Sequence, residues 1–359
     1  MFPSAIFASM FNRFADRLRP ESSCDAHTAP SLPIEIIEQI IQTAWASDMS
    51  VPDRTTTFTS FCLVNHTWLS LFIRTALIDV HIFSPSFADK YLFLLHERSA
   101  STGEPDSDYM LPGSSEAANR LCRSLTFHVD NNPNRFTSSG MQPAIRMYAE
   151  RNRMADSVTN VLYMLDTLDY TPNLRRVALR YIDWGFGDIF DQMRLVPLPS
   201  HVTDLEINYL FSSELKVAAG NLRRRFYRDL CPPWRTPNVR KLTITGAPAL
   251  LVNAFVQTCP NLEVLEVYGL PYFAGLVGKM PETLKTMVLE LGGSGVDEDQ
   301  RGDGKEDDFG LEQCVMRRWF DDSSTNRQIV LHAEPPSRIR VADAVRSRAR
   351  RYGLEVVSH

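Results

Sequence analysis

Apolar residues recur with helical spacing near the start of the chain. The first run occupies positions i, i+1, i+4, i+5, i+8 and i+9, which is one face of a helix, with Ile36, Ile37, Ile40, Ile41, Ala44 and Trp45. A second apolar helix is predicted through Phe58, Phe61, Cys62, Val64, Trp68, Leu71 and Phe72. Between them, the segment from Asp48 to Thr57 contains Pro52 and is interpreted as a break. The pattern predicts a helical module over residues 31–83, ending in a short strand near 80–83.

Six later segments share the form apolar-x-x-apolar-x-apolar. They are Cys122/Leu125/Phe127, Leu174/Val177/Leu179, Val202/Leu205/Ile207, Val239/Leu242/Ile244, Leu262/Leu265/Val267 and Leu284/Met287/Leu289. Three of them follow a Pro-Asn pair, in TPNLRRV, TPNVRKL and CPNLEVL. The middle residues of the last three segments are 23 and 22 residues apart, which lies within the roughly 20–29 typical of leucine-rich repeats. The spacings between the earlier segments are longer and leave room for insertions.

Amino-acid composition suggests the remaining domain and linker boundaries. Residues 1–30 are interpreted as a disordered tail, and 99–120 as a Gly-, Pro- and Ser-rich loop between the module and the repeats. Beyond the six segments, the pattern predicts a helix over 248–258, strands over 328–332 and 354–357, and a basic helix from about 340. The repeat domain is assigned to 121–359. Within it, the acidic, glycine-rich segment 292–310 is expected to be disordered because it cannot bury a core. The predicted fold class is α+β or α/β, with a small N-terminal helical module followed by an irregular α/β solenoid.

The repeat pattern also predicts a binding face. Alternate residues of a strand point to opposite sides of a sheet, so the apolar positions of successive strands stack into one core and the positions between them form an outer face. The candidate residues for binding a partner protein on that face are Arg176, Arg180, Glu206, Lys241 and Glu266. The three basic residues among them could meet an acidic motif. The alternative interpretation is an ordinary solvated surface.

Net charge and cysteine spacing limit the classes of protein that fit this sequence. The net charge is −5, which gives no indication of general nucleic-acid affinity, and two arginine-rich clusters are interpreted as solvated helix faces. The six cysteines include no C-x-x-C pair and no zinc-type spacing, which favours the reducing cytoplasm or nucleus. No apolar run reaches the ~18 residues expected of a membrane span.

The chain carries no recognisable catalytic motif. It lacks G-x-S-x-G, H-E-x-x-H, G-x-x-x-x-G-K-[ST] and G-x-G-x-x-G. The eight histidines are scattered and are interpreted as surface or core residues. We therefore expect a non-catalytic protein that needs no cofactor and no metal. An enzyme whose site is assembled from dispersed residues is the remaining catalytic alternative.

Two segments resemble the halves of an F-box. The first is Leu32-Pro33-x-Glu35-Ile36-Ile37-x-x-Ile40-Ile41 and the second is Leu63-Val64-Asn65-His66-x-Trp68. Followed by Pro-Asn-Leu repeats, they give the chain a layout that resembles the F-box and leucine-rich-repeat proteins abundant in mushroom-forming fungi. The segment between the halves, 47–60, is longer than in compact F-boxes. The F-box resemblance covers about 50 residues, and the repeat resemblance loosely covers most of the rest.

The resemblance implies a function. F-box modules bind the Skp-type adaptor of cullin–RING ubiquitin ligases, and the domain behind them presents an unidentified substrate protein, while other subunits perform the chemistry. Carried over position by position, the adaptor-binding residues would be Leu32, Pro33, Ile36, Ile40, Leu63, Val64 and Trp68. A module of this size cannot bury all its apolar groups internally, so part of that surface is expected to meet a partner.

A second hypothesis is a repeat scaffold that acts outside any ligase, with the helices serving only as a cap for the repeats. Surface exposure distinguishes the two. A substrate receptor leaves Leu32, Pro33 and part of the first helix exposed, whereas a cap buries that face.

Overall fold

The structure, a computed structural model, describes part of the chain in detail. The described residues are 32–96, 114–130, 153–186, 198–213, 215–217, 219, 235–268, 280–290, 328–332 and 355–358. They form two compact units. The first unit takes the described residues up to His128 together with Thr167–Leu174, and the second takes the others.

The first unit is mainly helical. Its elements are α1 (Ile34–Ala46), α2 (Val51–Val64), α3 (His66–Ile78), β1 (Asp79–Ile82), α4 (Pro85–His96), α5 (Ser114–Leu121) and β2 (Ser124–Asp130), whose last two residues belong to the second unit. Strands β1 and β2 pair in parallel, with Asp79 opposite Ser124 and Ile82 opposite Phe127. The core of helices α1 to α3 contains Ile37, Ile41, Trp45 and Phe72.

The second unit is built on a parallel sheet of seven strands that follow one another in chain order. Its elements are α6 (Arg153–Thr167, the last residue lying in the first unit), β3 (Arg176–Ile182), β4 (Asp204–Leu210), β5 (Lys241–Thr245), α7 (Ala249–Thr258), β6 (Val264–Tyr268), β7 (Thr286–Glu290), β8 (Gln328–His332) and β9 (Glu355–Ser358). One row of register partners runs across all seven strands as Val177, Leu205, Leu242, Leu265, Met287, Ile329 and Val356. The first five of these side chains are buried.

A repeated turn precedes the strands. The backbone N–H of Val239 donates to Thr236 O at 3.2 Å, that of Leu262 to Cys259 O at 3.2 Å, and that of Leu284 to Pro281 O at 3.1 Å. The Pro-Asn pair lies inside this turn, where Asn261 Nδ2 donates to Pro237 O of the preceding turn at 2.8 Å. Thr283 occupies the equivalent position in the next turn, and its hydroxyl lies 3.3 Å from Pro260 O. The Asn is therefore explained by a hydrogen bond that joins successive turns.

The predicted fold class is confirmed at the level of mixed helices and parallel strands. Strands lie where the pattern predicted them near 80–83, at 328–332 and near 354–357, and the helix predicted from 248 to 258 spans Ala249–Thr258. The tail 1–30, the insertion 292–310 and the basic helix predicted from about 340 lie outside the described residues. No described helix is long and apolar enough to cross a membrane.

The break predicted from Asp48 to Thr57 is wrong, because α2 begins at Val51. Ser50 caps this helix, its Oγ accepting from Asp53 N at 3.3 Å. Pro52 lies in the first turn, where its missing N–H costs nothing. The predicted second helix is in fact two helices, because Asn65 separates α2 from α3 and its Oδ1 accepts from Trp68 N at 3.0 Å.

The loop predicted over 99–120 is wrong at its C-terminal end, because Ser114–Leu121 is helix α5. Two side chains of α5 hold it to the end of α4, since Ser115 Oγ and Asn119 Nδ2 each donate to Leu95 O at 3.1 Å. Residues 99–113 of the predicted loop lie outside the described residues.

Replacement of Gly246 tests the tight turn after β5. Its φ is +73°, and a Cβ added there would lie 2.4 Å from the backbone oxygen of Tyr209. We expect Gly246→Ala to lower the free energy of unfolding by about 2 kcal/mol or more, since the φ alone costs an L residue roughly 1–2 kcal/mol. Urea unfolding measures the change. Ser213→Ala, in an exposed turn of the same unit, serves as the control, and equal stability of the two variants would contradict this account.

Candidate docking surfaces

Helix α1 is held in place by one of its two apolar stripes. Ile37, Ile41 and Trp45 recur every four residues and are at most 7% exposed. Trp45 packs edge-on against Phe72, with ring centroids 5.1 Å apart. Its indole Nε1–H donates to Asp79 O at 2.9 Å, which ties the end of α1 to the start of β1. The inward stripe therefore sets the position and rotation of the whole helix.

The other stripe of α1 remains exposed. Ile36 and Ile40 precede the two buried isoleucines by one position each, about 100° around the helix, and are 42% and 40% exposed. Leu32 at the start of the helix is 53% exposed, and Pro33 is exposed as well. Ile34, which the sequence analysis did not select, is 52% exposed. Leu32, Pro33, Ile36 and Ile40 form what we call the α1 apolar stripe, whereas Ile34, three residues before Ile37, lies on the side of the buried stripe.

The second set of adaptor-binding candidates lies where α2 meets α3. Leu63 and Val64, the last residues of α2, are each 53% exposed. Trp68 differs from them because it is half-buried and packs against Phe61 with ring centroids 5.7 Å apart. Six of the seven candidates are thus exposed, and Trp68 contributes mainly to the packing of α2 on α3. Their role in binding an adaptor stays a prediction.

Arg54 is a positioning residue that the sequence analysis missed. Its side chain is only 1% exposed and lies inside the segment that had been interpreted as a break. Its Nη1 donates to Trp45 O at 2.6 Å and its Nη2 to Ser47 O at 2.8 Å. The guanidinium carbon lies 4.9 Å from the centre of the Trp45 ring. A cation at the C-terminal end of α1 complements the helix dipole, so Arg54 fixes the end of the helix that carries the exposed stripe.

On the second unit, the outward side chains of β3 to β6 line a shallow polar hollow. Its lining includes Arg176, Glu206, Asn208, Lys241, Thr243 and Glu266. The parallel register explains why they converge, since Glu206, Thr243 and Glu266 occupy the same row on adjacent strands. Four of the five predicted partner-binding residues therefore line one hollow. Arg180, the fifth, lies on β3 opposite Asn208 and acts electrostatically on Glu206.

The charges in this hollow are paired with one another. Arg176 Nε donates to Glu206 Oε2 at 3.1 Å, and Lys241 Nζ lies 2.8 Å from Glu266 Oε1. Thr243 Oγ1 also donates to Glu266, at 2.9 Å. Both carboxylates are therefore neutralised by cations on neighbouring strands. An acidic motif would have to compete with them for Arg176 and Lys241, so the hollow is not a preformed anion site.

Two opposing effects set the acidity of Glu206. Burial by itself raises the pKa of this carboxyl, but the charge of Arg176, hydrogen bonds from Arg176 and Asn208, and the charge of Arg180 together hold the pKa below its ordinary value. Asn208 Nδ2 donates to Glu206 Oε1 at 2.6 Å. The carboxylate is thus held ionised as the centre of a network that joins β3 to β4.

The outward row that contains Glu206, Thr243 and Glu266 is apolar at both of its ends. Ala178 on β3 and Val288 on β7 occupy the same outward row as Glu206 and Glu266, but they are 0% and 9% exposed. Val330, opposite Val288 on β8, is also 9% exposed. Alternation along a strand assigns a residue to a face, and it does not determine whether that face is covered at that point. The polar hollow is therefore confined to β3–β6.

Removal of the Arg54 guanidinium tests its role at the end of α1. We expect Arg54→Met to lower the free energy of unfolding of the first unit by about 2–3 kcal/mol, because it leaves the buried carbonyl of Trp45 and the partly buried carbonyl of Ser47 without this donor. Arg54→Lys, which keeps the charge but not the two-pronged geometry, is expected to fall between wild type and Arg54→Met. Urea unfolding followed by tryptophan fluorescence gives the values, and a wild-type-like Met variant would contradict the assignment.

The pH dependence of stability tests the Glu206 network. A carboxyl whose pKa is lower in the folded state stabilises the fold above its unfolded pKa, and that stability is lost as the pH falls through the folded pKa. We expect wild type to lose stability progressively below about pH 4.5. Glu206→Gln and Arg176→Met should each show a smaller loss over that window, because each removes the ion pair. Parallel stability–pH curves for all three proteins would show that the network contributes nothing.

The described residues hold no metal-like cluster of three or more His, Cys, Asp or Glu side chains. No protein-family model matches the chain, and no curated protein sequence matches it. What the chain binds is therefore inferred from its own surfaces, the α1 apolar stripe with Leu63 and Val64 on the first unit and the polar hollow on the second.

Proposed function

We propose that this protein is an F-box adaptor, the substrate-recognition subunit of a cullin–RING ubiquitin ligase. The first unit binds a Skp-type adaptor, and through it the cullin, while the strands of the second unit bind a substrate protein. The ligase's other subunits perform ubiquitin transfer, so this chain acts without catalysis or cofactor, in the cytoplasm or nucleus. The observation that carries the proposal is the α1 apolar stripe, which stays exposed although α1 is fully packed on its other side.

Exposure of this stripe favours docking because large apolar side chains gathered on one surface are unfavourable in water and mark interaction sites. Burying such side chains against a partner stabilises the complex by roughly 25 cal/mol per Å² of apolar surface removed from water. Ile36 and Ile40 are spaced four residues apart on α1, so one face of the helix presents both to the same partner, and Leu32 lies just before the helix begins. The spacing matches a helix that inserts its side chains into an apolar groove.

The exposed residues coincide with those that the F-box resemblance selects. Leu32, Pro33, Ile36 and Ile40 belong to its first half, and Leu63 and Val64 to its second. Both Leu32 and Pro33 are exposed, as a substrate receptor requires of residues that bind an adaptor. This match supports a substrate receptor over a scaffold that acts outside the ligase.

The repeat part of the proposal is supported by the regular stacking of turns and strands in the second unit. Successive strands β5, β6 and β7 are separated by 23 and 22 residues, and each follows the same hydrogen-bonded turn. These are features of an irregular leucine-rich-repeat solenoid. Such solenoids present the outward strand residues to partner proteins, and the polar hollow on β3–β6 is the substrate-binding surface that we assign.

Binding of a purified Skp-type adaptor tests the docking surface. We expect wild type to bind, and Ile36→Lys/Ile40→Lys to bind at least about tenfold more weakly, because residues at an interface centre commonly contribute more than 1 kcal/mol each. Both positions are exposed, so the double variant should keep the wild-type melting temperature to within a few degrees. Isothermal titration calorimetry gives the affinities, and circular dichroism confirms the fold.

Phe93→Lys is the matched control, because Phe93 is 60% exposed on α4 of the same unit but lies outside the α1 apolar stripe. This variant should bind like wild type. Failure of well-folded wild-type protein to bind the adaptor would overturn the proposal and leave the scaffold as the better hypothesis. Equal loss in Phe93→Lys and the double variant would show that the stripe has no specific role.

A further inference from the structure

Two buried histidines meet between β1 and β2. His81 is 5% exposed and His128 is 2% exposed. Nδ1 of His81 lies 3.0 Å from Nε2 of His128, and Nε2 of His81 lies 3.1 Å from Asp79 Oδ2. The His81 ring also packs edge-on against Trp45, with centroids 5.2 Å apart. The pair therefore lies between the strands and the core of the helical module.

The chemistry of imidazole limits how many protons this arrangement can hold. An ionised Asp79 only accepts hydrogen bonds, so Nε2 of His81 carries a hydrogen and, in the neutral ring, Nδ1 is an acceptor. His128 then donates its Nε2–H to that acceptor. One added proton can be accommodated, because a protonated His81 donates from both nitrogens while His128 shifts its own hydrogen to Nδ1. A second proton places two N–H groups face to face at 3.0 Å, and the hydrogen bond is lost.

We propose that the His81–His128 contact is an acid-sensitive clasp, which holds β1 to β2 while at least one ring is neutral and opens when both rings are protonated. The unfolded or separated strands take up both protons near the ordinary imidazole value of about 6.5. The hydrogen-bonded His81–His128 pair can take up only one of these two protons. The open state then binds more protons than the closed state, so the clasp weakens as the pH falls below about 6.5.

The other ionisable groups near the pair do not produce the same effect. Cys122, the residue after α5, interacts electrostatically with Asp79, and Tyr91 on α4 is hydrogen-bonded to Cys122. Burial raises the pKa of Cys122 to about 12 and that of Tyr91 above its ordinary value, so both stay neutral at pH 5–8. Arg54, on the α2 side of Trp45, stays charged throughout.

Asp130, two residues beyond His128 on β2, titrates with the opposite sign. Burial, with the charge of Asp183, raises its pKa. A raised carboxyl pKa means that the folded state gains protons on acidification, which stabilises it as the pH falls. Asp130 therefore cannot mimic an acid-sensitive clasp.

Trp45 extends the effect of the clasp to the helices. Its ring contacts His81, and its Nε1–H donates to the Asp79 carbonyl at the start of β1. Opening of the strands therefore removes support from the C-terminal end of α1, the helix that carries the apolar stripe. The clasp does not depend on the proposed adaptor, because it concerns contacts within the first unit alone.

Hydrogen exchange measured by mass spectrometry on the full chain tests the clasp locally. Exchange rates at pH 7.5, 6.5 and 5.5, corrected for the intrinsic pH dependence, give protection factors for peptides covering 79–82 and 124–128. Between pH 6.5 and 5.5 we expect these factors to fall about five- to tenfold in wild type, the change expected for one excluded proton. Peptides covering β4–β6 should change by less than about twofold.

His128→Gln is the decisive variant. A Gln amide can donate to a neutral His81 or accept from a protonated one, so protection at 79–82 should become independent of pH between 6.5 and 5.5. His66→Gln, at an exposed position, should keep the wild-type dependence. The proposal is overturned if wild type shows no fall in protection, or if His128→Gln shows the same fall as wild type.

Discussion

Helix α1 carries two apolar stripes, and a helix that packs against neighbours on one side can bury only one of them. Ile37, Ile41 and Trp45 enter the core with Phe72, and this packing leaves Ile36 and Ile40 in solvent. Two further contacts in the first unit hold α1 in this orientation. Arg54 fixes the C-terminal end of the helix, and the Trp45 indole binds the start of β1. The docking surface is thus a consequence of how the core is made.

The regular parts of the fold could be predicted from sequence because their apolar residues recur at regular intervals along the chain. Leu242, Leu265 and Met287 recur at nearly constant spacing and lie in register on adjacent strands. The same regularity assigned Glu206 and Glu266 to one outward face. The pairing of their charges with Arg176 and Lys241 was not predicted, because it depends on strand register, and register becomes known only once the strands are placed side by side.

Other features of the structure produce no periodic pattern in the sequence. Arg54 binds backbone carbonyls, which are present at every residue, so nothing in the side-chain pattern distinguishes it from a surface arginine. His81 and His128 are 47 positions apart and meet only when β1 pairs with β2. The start of α2 was missed because Pro52 was taken as a helix breaker, although a proline in the first turn of a helix is favourable. In each case the deciding contact involves backbone or a distant segment.

The most direct test of the docking surface is hydrogen exchange of the full chain with and without a saturating Skp-type adaptor. If α1 and the end of α2 bind the adaptor, peptides covering 34–46 and 51–64 should exchange more slowly in the complex. Peptides covering β3–β6 should be unchanged, because that face is left for the substrate. Slower exchange confined to β3–β6, or no change anywhere at a saturating concentration, would contradict the central claim that the α1 apolar stripe is the adaptor-binding surface.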